Sequence, residues 1–224
     1  MHYILEQYKI LVQFLGEVLG PDYEVVLHDV REGHDGVIAI ANGQISERTV
    51  GAPLTSLGMR FLTDREYEHA DYKVGYRGMS KKKSQLRSST MFIKDEDGQV
   101  IGMLCVNFDP SHCLQAANAV LTSRGLAPIG LDTALSGESC IGAPSEVTEH
   151  FVQSFSDMVS NAIEEVTGQT DFPANRLNMD EKVQIVTSLY QAGAFSMKGA
   201  VSEVAQQLST SEATIYRYLG RLKK

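Results

Sequence analysis

The chain has 224 residues, 43% of them hydrophobic, and a formal net charge of −8. This length suggests one or two globular domains, and no run reaches the roughly 18 consecutive apolar residues of a membrane span. Three cysteines without a CxxC pair indicate a reducing compartment. We therefore expect a cytoplasmic protein without a membrane segment.

The N-terminal twenty residues predict an amphipathic helix that ends at Gly20-Pro21. Its apolar stripe consists of Ile4, Leu5, Tyr8, Leu11, Val12, Leu15 and Leu19. The segment lacks a basic start and a small-residue cleavage site, so it is not typical of a signal peptide.

Four β-rich segments follow and pair into two hairpins. Tyr23–Val30 and Gly36–Ala41 are separated by a turn-prone segment, and Leu86–Lys94 and Gln99–Phe108 are joined through Asp97-Gly98. Glycines divide the intervening residues 42–83 into short helices and loops. The pattern predicts a small antiparallel sheet covered on one face, in the order found in PAS-type sensor domains.

Polar residues interrupt these strands on the faces that should be buried. Alternation places His28 beside Val26, and Cys105 and Asn107 beside Met103, which is typical of a polar pocket for a small ligand. The alternative is that His28 and Asn107 are structural polar groups with satisfied hydrogen bonds. Asn42-Gly43 similarly predicts a turn at a strand end or a pocket edge.

Motifs for catalysis or metal binding are absent from the sequence. The six histidines form no HExxH pattern, so we expect no metal and no cofactor. The segment 137–142 (GESCIG) lacks the spacing of a nucleophile elbow, and the lysines at 81–83 are typical of a solvated loop. We do not expect an enzyme.

Helices and a linker make up the middle of the chain. Residues 111–124 predict a helix, and residues 125–144, rich in Gly, Pro, Ser and Ala, predict a linker. Residues 145–167 predict a long helix whose apolar stripe packs on a helix of the same chain or across a dimer. The segment 171–179 is the best domain boundary.

The C-terminal residues carry a helix-turn-helix pattern. Val201, Val204, Ala205 and Leu208 follow the spacing of one buried helical face, and Ser209–Ser211 break it. Ser209 would need a left-handed conformation at modest cost. The second helix presents outward the residues expected to contact DNA: Ser211, Glu212, Thr214, Tyr216, Arg217 and Arg221.

Charge supports this interpretation over an ordinary helical hairpin. Residues 180–224 contain six basic and four acidic residues, whereas residues 1–179 contain fourteen basic and twenty-four acidic ones. A small basic module on an acidic body is typical of a regulator rather than a general DNA-coating protein.

Several motifs together resemble one family. EVVLHDV, ANGQIS, RSSTMFIKDEDG and GMLCVNFD, which begin at Glu24, Ala41, Arg87 and Gly102, resemble the YheO-like PAS domain. The segment Glu181–Leu219 resembles the helix-turn-helix domain of DauR-type regulators. The resemblance covers nearly the whole chain apart from the linker.

The resemblance implies an α+β fold with a PAS-like antiparallel sheet, covering helices, a long linking helix and an all-α helix-turn-helix domain. The expected boundaries are 1–125 for the sensor, 126–178 for the linker and dimerisation helix, and 179–224 for the DNA-binding domain. The motif positions expected to shape the pocket are His28, Asp29, Asn42, Ser88, Ser89, Cys105 and Asn107. Glu47 departs from the family pattern and adds a charge near them.

The function implied is a bacterial, ligand-responsive transcription regulator that binds a double-stranded DNA operator as a homodimer. DauR-type members are linked to D-amino-acid catabolism, so the expected effector is a small metabolite such as an amino acid. The alternative is a sensor or adaptor whose C-terminal helices dock a protein partner. Salt dependence separates the two, because DNA binding weakens steeply as salt rises.

Overall fold

The computed structural model describes residues 2–31, 36–80, 85–130, 148–152, 154–170, 172–197 and 199–222. Most of the predicted linker, the lysines at 81–83 and the motif at 137–142 lie outside these residues. Two compact units are present: a sheet unit of Met1–Ala52 and Tyr67–Phe151, and a helical unit of Pro53–Glu66 and Val152–Lys224. The predicted domain boundaries remain a prediction.

The sheet unit contains, among the described residues, six strands in the order β2-β1-β5-β4-β3-β6. The strands are β1 (Tyr23–Asp29), β2 (Gly36–Ala41), β3 (Tyr72–Met79), β4 (Gln85–Lys94), β5 (Val100–Phe108) and β6 (Thr148–His150). All pairs are antiparallel except β3–β6, which is parallel. Both predicted hairpins, β1–β2 and β4–β5, are confirmed.

Helix α1 (Tyr3–Leu19) covers one face of this sheet, as its apolar spacing predicts. Leu5 and Val12 are fully buried in one cluster with Val25 and Leu27 of β1. Each such side chain contributes roughly 1.5–3 kcal/mol by leaving water. The helix ends at Gly20, whose φ of +85° favours glycine.

Two strands differ from the sequence prediction. β3 lies in a segment expected to hold only short helices and loops, because Gly75, at φ +74° within a register shift of the β3–β4 pairing, breaks the alternation. β6 lies inside the predicted helix 145–167, so that prediction is wrong at its start. The helix α4 spans only Phe155–Thr167, where the Ser154 Oγ accepts a hydrogen bond from the Asp157 N–H.

The other helices are close to their predicted positions. They are α2 (Ser56–Thr63), α3 (Ser111–Ser123), α5 (Met179–Gln191), α6 (Ala200–Gln207) and α7 (Glu212–Leu222). Helix α5 begins with a capping box formed by Asn178 and Glu181. Among the described residues, no helix is both long and apolar enough to cross a bilayer.

Helices α4 to α7 form the core of the helical unit. Helix α4 packs on α5 and α6, so its apolar stripe is buried within the chain, where Met158 is 3% exposed. Val204, Leu208 and Ile215 are fully buried at the junction of α6 and α7. Ser209, in the turn between them, has φ +48°, which confirms the predicted left-handed conformation.

Candidate ligand site and nucleic-acid interface

A row of polar side chains crosses the face of the sheet opposite α1. Strand register aligns Glu24 of β1 with Asn107 of β5, Asn107 with Ser88 of β4, and Ser88 with Tyr76 of β3. Glu24, Ser88 and Asn107 are fully buried and Tyr76 is 2% exposed. Four strands therefore bring carboxylate, amide, hydroxyl and phenol groups into one line away from water.

The loop after β2 closes over this row with Ser46 and Arg48. The Ser46 hydroxyl donates to Glu24 Oε1, and Asn107 Nδ2 donates to Glu24 Oε2 at 2.7 Å. Arg48 Nη2 lies 3.6 Å from the same Oε2, and Arg48 Nε donates to Ser46 Oγ at 3.2 Å. The buried Glu24 carboxylate and Arg48 guanidinium thus form an ion pair. Two neutral side chains add hydrogen bonds to it, which buried charges require.

His28 and Phe151 complete the surroundings of Arg48. The guanidinium lies 4.6 Å from the centre of the Phe151 ring, and its Nη1 is 3.5 Å from His28 Nε2. Burial, followed by the nearby Arg48 charge, lowers the pKa of His28 to about 3. His28 is therefore neutral at physiological pH and can accept a hydrogen bond from Arg48.

A second set of polar groups lies beside the first. The Thr90 hydroxyl is 2.7 Å from the Tyr76 hydroxyl and 3.2 Å from Cys105 Sγ, which is 3.8 Å from His28 Nδ1. Burial raises the pKa of the Cys105 thiol to about 12, so the sulfur stays protonated. Burial and the carboxylate of Glu149 on β6 also raise the pKa of Tyr76 well above 10. Both Tyr76 and Cys105 therefore stay neutral at physiological pH and are available only as hydrogen-bonding groups.

Three buried atoms of this face have no hydrogen-bond partner within the part of the chain that the structure describes. They are Arg48 Nη2, Ser88 Oγ and Asn107 Oδ1. Most buried polar atoms in proteins are hydrogen-bonded, so three atoms without a hydrogen bond in one cluster need an explanation. Together they offer a charged donor, a hydroxyl and an amide acceptor.

The structure brings together four of the seven predicted pocket residues: His28, Ser88, Cys105 and Asn107. Asp29 instead forms an ion pair with Arg31 at 2.6 Å. Asn42 Nδ2 donates to the Gly20 carbonyl at 3.0 Å. Ser89 Oγ, on the opposite face from Ser88, accepts from the Gly75 N–H at 3.2 Å.

Sequence reasoning missed five residues of this face: Glu24, Ser46, Arg48, Tyr76 and Thr90. Strand alternation could have found Glu24, because it shares its side of β1 with Val26 and His28. It could not have found Arg48, which reaches the sheet from a loop. Glu47, noted as a departure from the family, is half-buried with φ +63°, whereas its neighbour Arg48 is 2% exposed.

The second helix of the helix-turn-helix, α7, divides into two faces. Ile215, Tyr218 and Leu219 are buried, whereas Glu212, Arg217 and Arg221 are exposed. The remaining predicted contact residues are Tyr216, which is 61% exposed, and the pair Ser211 and Thr214 at the start of the helix. The Ser211 Oγ accepts from the Thr214 N–H at 3.2 Å, which caps α7.

A PAS-like sheet followed by a helix-turn-helix module defines a DNA-binding transcription regulator. The family model for the YheO-like PAS domain matches residues 1–123, and that for a helix-turn-helix domain matches residues 158–220. The chain belongs to the YheO-like PAS family. The resemblance seen in the sequence and the α+β fold class are thus confirmed, and the chain is a regulator rather than an enzyme.

Full-length relatives agree with this assignment. The chain is 29% identical to the YheO protein of Escherichia coli K12 over 98% of its own length and 85% of the relative's. It is 28% identical to a Haemophilus influenzae protein, covering 99% of this chain and 92% of that one. It is 27% identical to the transcriptional regulator DauR of Pseudomonas aeruginosa, covering 98% and 95%.

Proposed function

We propose that this regulator changes its DNA binding when a small polar metabolite binds the buried polar face of the sheet. The observation that carries the proposal is the cluster of buried polar atoms on Arg48, Ser88 and Asn107 that have no hydrogen-bond partner among the described residues. A ligand that supplies their hydrogen bonds binds one conformation of the sheet unit better than another. It shifts the population toward that conformation.

The effector proposed is of amino-acid type, D-amino acids included. Such a molecule carries a carboxylate that accepts hydrogen bonds and an amine that donates them. Arg48 Nη2 offers a donor and Asn107 Oδ1 an acceptor, while the Ser88 hydroxyl can do either. This complementarity supports an amino-acid ligand over a purely apolar one.

The chain connectivity supports transmission from this site to the helices. Phe151, which lies over Arg48, is followed within three residues by Ser154, the N-cap of α4. Arg48 itself precedes Ser56, the first residue of α2, by eight positions. Two residues of the site are therefore close in sequence to helices of the DNA-binding unit.

The effector proposal is tested on Asn107→Leu. DNA binding to the upstream region of the protein's own gene should persist, whereas the ligand-induced change in it should disappear. Calorimetry with a panel of D- and L-amino acids identifies the ligand on wild type. Ser89→Ala is the matched control, because Ser89 lies on the opposite face of the neighbouring strand. A ligand response that survives in Asn107→Leu in proportion to its folded fraction contradicts the proposal.

The DNA contacts are tested on Arg217→Ala. An arginine that reaches a base edge contributes about 1–3 kcal/mol, so specific operator affinity should fall by about fivefold or more while the protein stays folded. Arg176→Ala, an exposed arginine outside α7 in the same unit, should leave affinity almost unchanged. Equal effects of the two variants in a mobility-shift titration would exclude α7 as the recognition helix.

The proposed homodimer follows from the way helix-turn-helix proteins read two half-sites about 34 Å apart. Because the stripe of α4 is buried within the chain, the exposed apolar stripe of α1 supports an interface there. It consists of Tyr3, Ile10, Phe14 and Val18, each 58–65% exposed. Light scattering should show monomers for Phe14→Glu and dimers for Val120→Glu, an equally exposed apolar residue on α3. Dimers for both variants would exclude α1.

A further inference from the structure

We infer that Arg48 binds the carboxylate of the effector, and that Glu24 holds the same guanidinium when the site is closed. The inference rests on the proposed function and names the residue that determines which ligands are accepted. Arg48 is 2% exposed, and its Nη2 has no hydrogen-bond partner within the described part of the chain.

The contact between Arg48 and Glu24 is the loosest in its network. Glu24 Oε2 lies 3.6 Å from Arg48 Nη2 but only 2.7 Å from Asn107 Nδ2, and Oε1 accepts from the Ser46 hydroxyl. Each carboxylate oxygen of Glu24 therefore keeps a neutral donor if Arg48 turns to another anion. An incoming carboxylate replaces a long contact with a charge-assisted hydrogen bond, which is stronger.

The surroundings of the guanidinium limit which of its nitrogens can bind an anion. Arg48 Nε is engaged by Ser46 and Nη1 faces His28, so Nη2 is the position left for a ligand. The Phe151 ring covers one face of the guanidinium and excludes water there, which strengthens a charged contact. A single nitrogen without a hydrogen bond suits a carboxylate better than a phosphate, whose oxygens need several donors at once.

The neighbouring acceptor defines the second group of the ligand. Asn107 donates its Nδ2 to Glu24, which leaves its Oδ1 to accept, and the Ser88 hydroxyl lies at the directly opposed position on β4. A ligand with an N–H group beside its carboxylate satisfies Arg48, Ser88 and Asn107 together. The ligand class is thus the small α-amino carboxylic acids, and the carboxylate is the part that cannot be omitted.

The experiment compares free amino acids with their carboxamides on the wild-type full chain. Calorimetry is run with D- and L-amino acids and with the matching amino-acid amides, which keep the side chain and amine but lose the negative charge. The acids should bind, and their amides should bind at least tenfold more weakly. This comparison needs no substitution, so it does not depend on how any variant folds.

Three variants assign the effect to Arg48. Arg48→Lys keeps the buried positive charge but changes the donor geometry, and it should weaken acid binding about tenfold. The double variant Glu24→Gln with Arg48→Gln leaves no unpaired buried charge and should abolish binding of the acids. Arg31→Gln removes an arginine of the same unit that pairs with Asp29, and it should bind like wild type. Circular dichroism verifies that each variant is folded.

Each outcome decides the question. The inference is supported if the amino acids bind to wild type and to Arg31→Gln, while their amides do not bind to wild type and the acids do not bind to the double variant. Amides that bind as tightly as acids, or a folded double variant with wild-type affinity, overturn the role of Arg48 and leave the proposed effector response standing. No binding of any amino acid to the wild type overturns the amino-acid effector and the inference with it.

Discussion

Two arginines of this molecule occupy opposite environments. The Arg48 side chain is 1% exposed and is held among a carboxylate, a hydroxyl, an imidazole and an aromatic ring. Arg217, on the outer face of α7, is exposed and lies 5.6 Å from the ring of Tyr218. A buried charge needs partners to offset its desolvation, whereas an exposed one is hydrated and remains available.

The difference extends to the two units that contain these residues. The sheet unit buries its polar groups in an ordered row. The loss or gain of one hydrogen-bond partner there changes the free energy strongly, because the local dielectric is low. The helical unit leaves its polar face in water, where long-range attraction to a polyanion acts. The second arrangement suits recognition of DNA, and the first suits the small-molecule recognition proposed above.

The strongest way to break this comparison is to replace both arginines by methionine. Arg48→Met leaves Glu24 charged and buried without its counterion, so the free energy of unfolding should fall by about 3–5 kcal/mol. Arg217→Met should change it by no more than about 0.5 kcal/mol, as surface substitutions do. Urea denaturation of the two variants measures the difference. Equal losses would mean that the two environments are energetically alike.

The pH dependence of stability sharpens the same contrast within the sheet unit. His28, which faces Arg48 and Cys105, has its pKa lowered to about 3, whereas in the unfolded chain it protonates near 6.5. Below pH 6.5 the unfolded chain therefore binds a proton that the folded chain does not. Stability should fall as the pH drops, by about 2 kcal/mol between pH 7 and pH 5.

His28→Gln tests the source of that slope. The variant has no imidazole to protonate, so its stability should depend less on pH over the same interval, by about the same 2 kcal/mol. Denaturation at pH 7, 6 and 5 gives both profiles. Parallel profiles for wild type and variant would assign the slope to other groups.

The smallest expected effect concerns Ser211, which caps α7 and is also a predicted DNA contact. Ser211→Ala removes the acceptor of the Thr214 N–H and should cost about 1 kcal/mol of stability. Ser202→Ala, at an exposed position on α6, should be neutral or slightly stabilising. Thermal melting separates the two. A loss of operator affinity in Ser211→Ala without a change in melting temperature would mean that the hydroxyl contacts DNA instead of capping.

Periodic patterns explain which parts of the fold could be predicted from sequence. Helix α1, the two hairpins and the helix-turn-helix follow regular apolar spacing. The same regularity in the strands, an alternation of faces, predicted that His28, Cys105 and Asn107 lie on one face. Strand β3 could not be predicted because its glycines interrupt that alternation. Strand β6 could not be predicted because it pairs with β3, which lies far away in sequence. Arg48 gave no signal, since it enters the site from a loop where Asn42 and Glu47 adopt positive φ.

Helix α2 makes the helical unit discontinuous in sequence, with consequences for folding and for fragments of the protein. Its Leu57, Met59 and Phe61 are buried, and Gly193, about 130 residues later, lies against Met59 and Thr63. During synthesis α2 emerges well before α4 to α7, so the unit closes only when nearly the whole chain has left the ribosome. A fragment cut before α4 retains the helix-turn-helix but lacks α2, and it exposes the apolar surface that α2 covers.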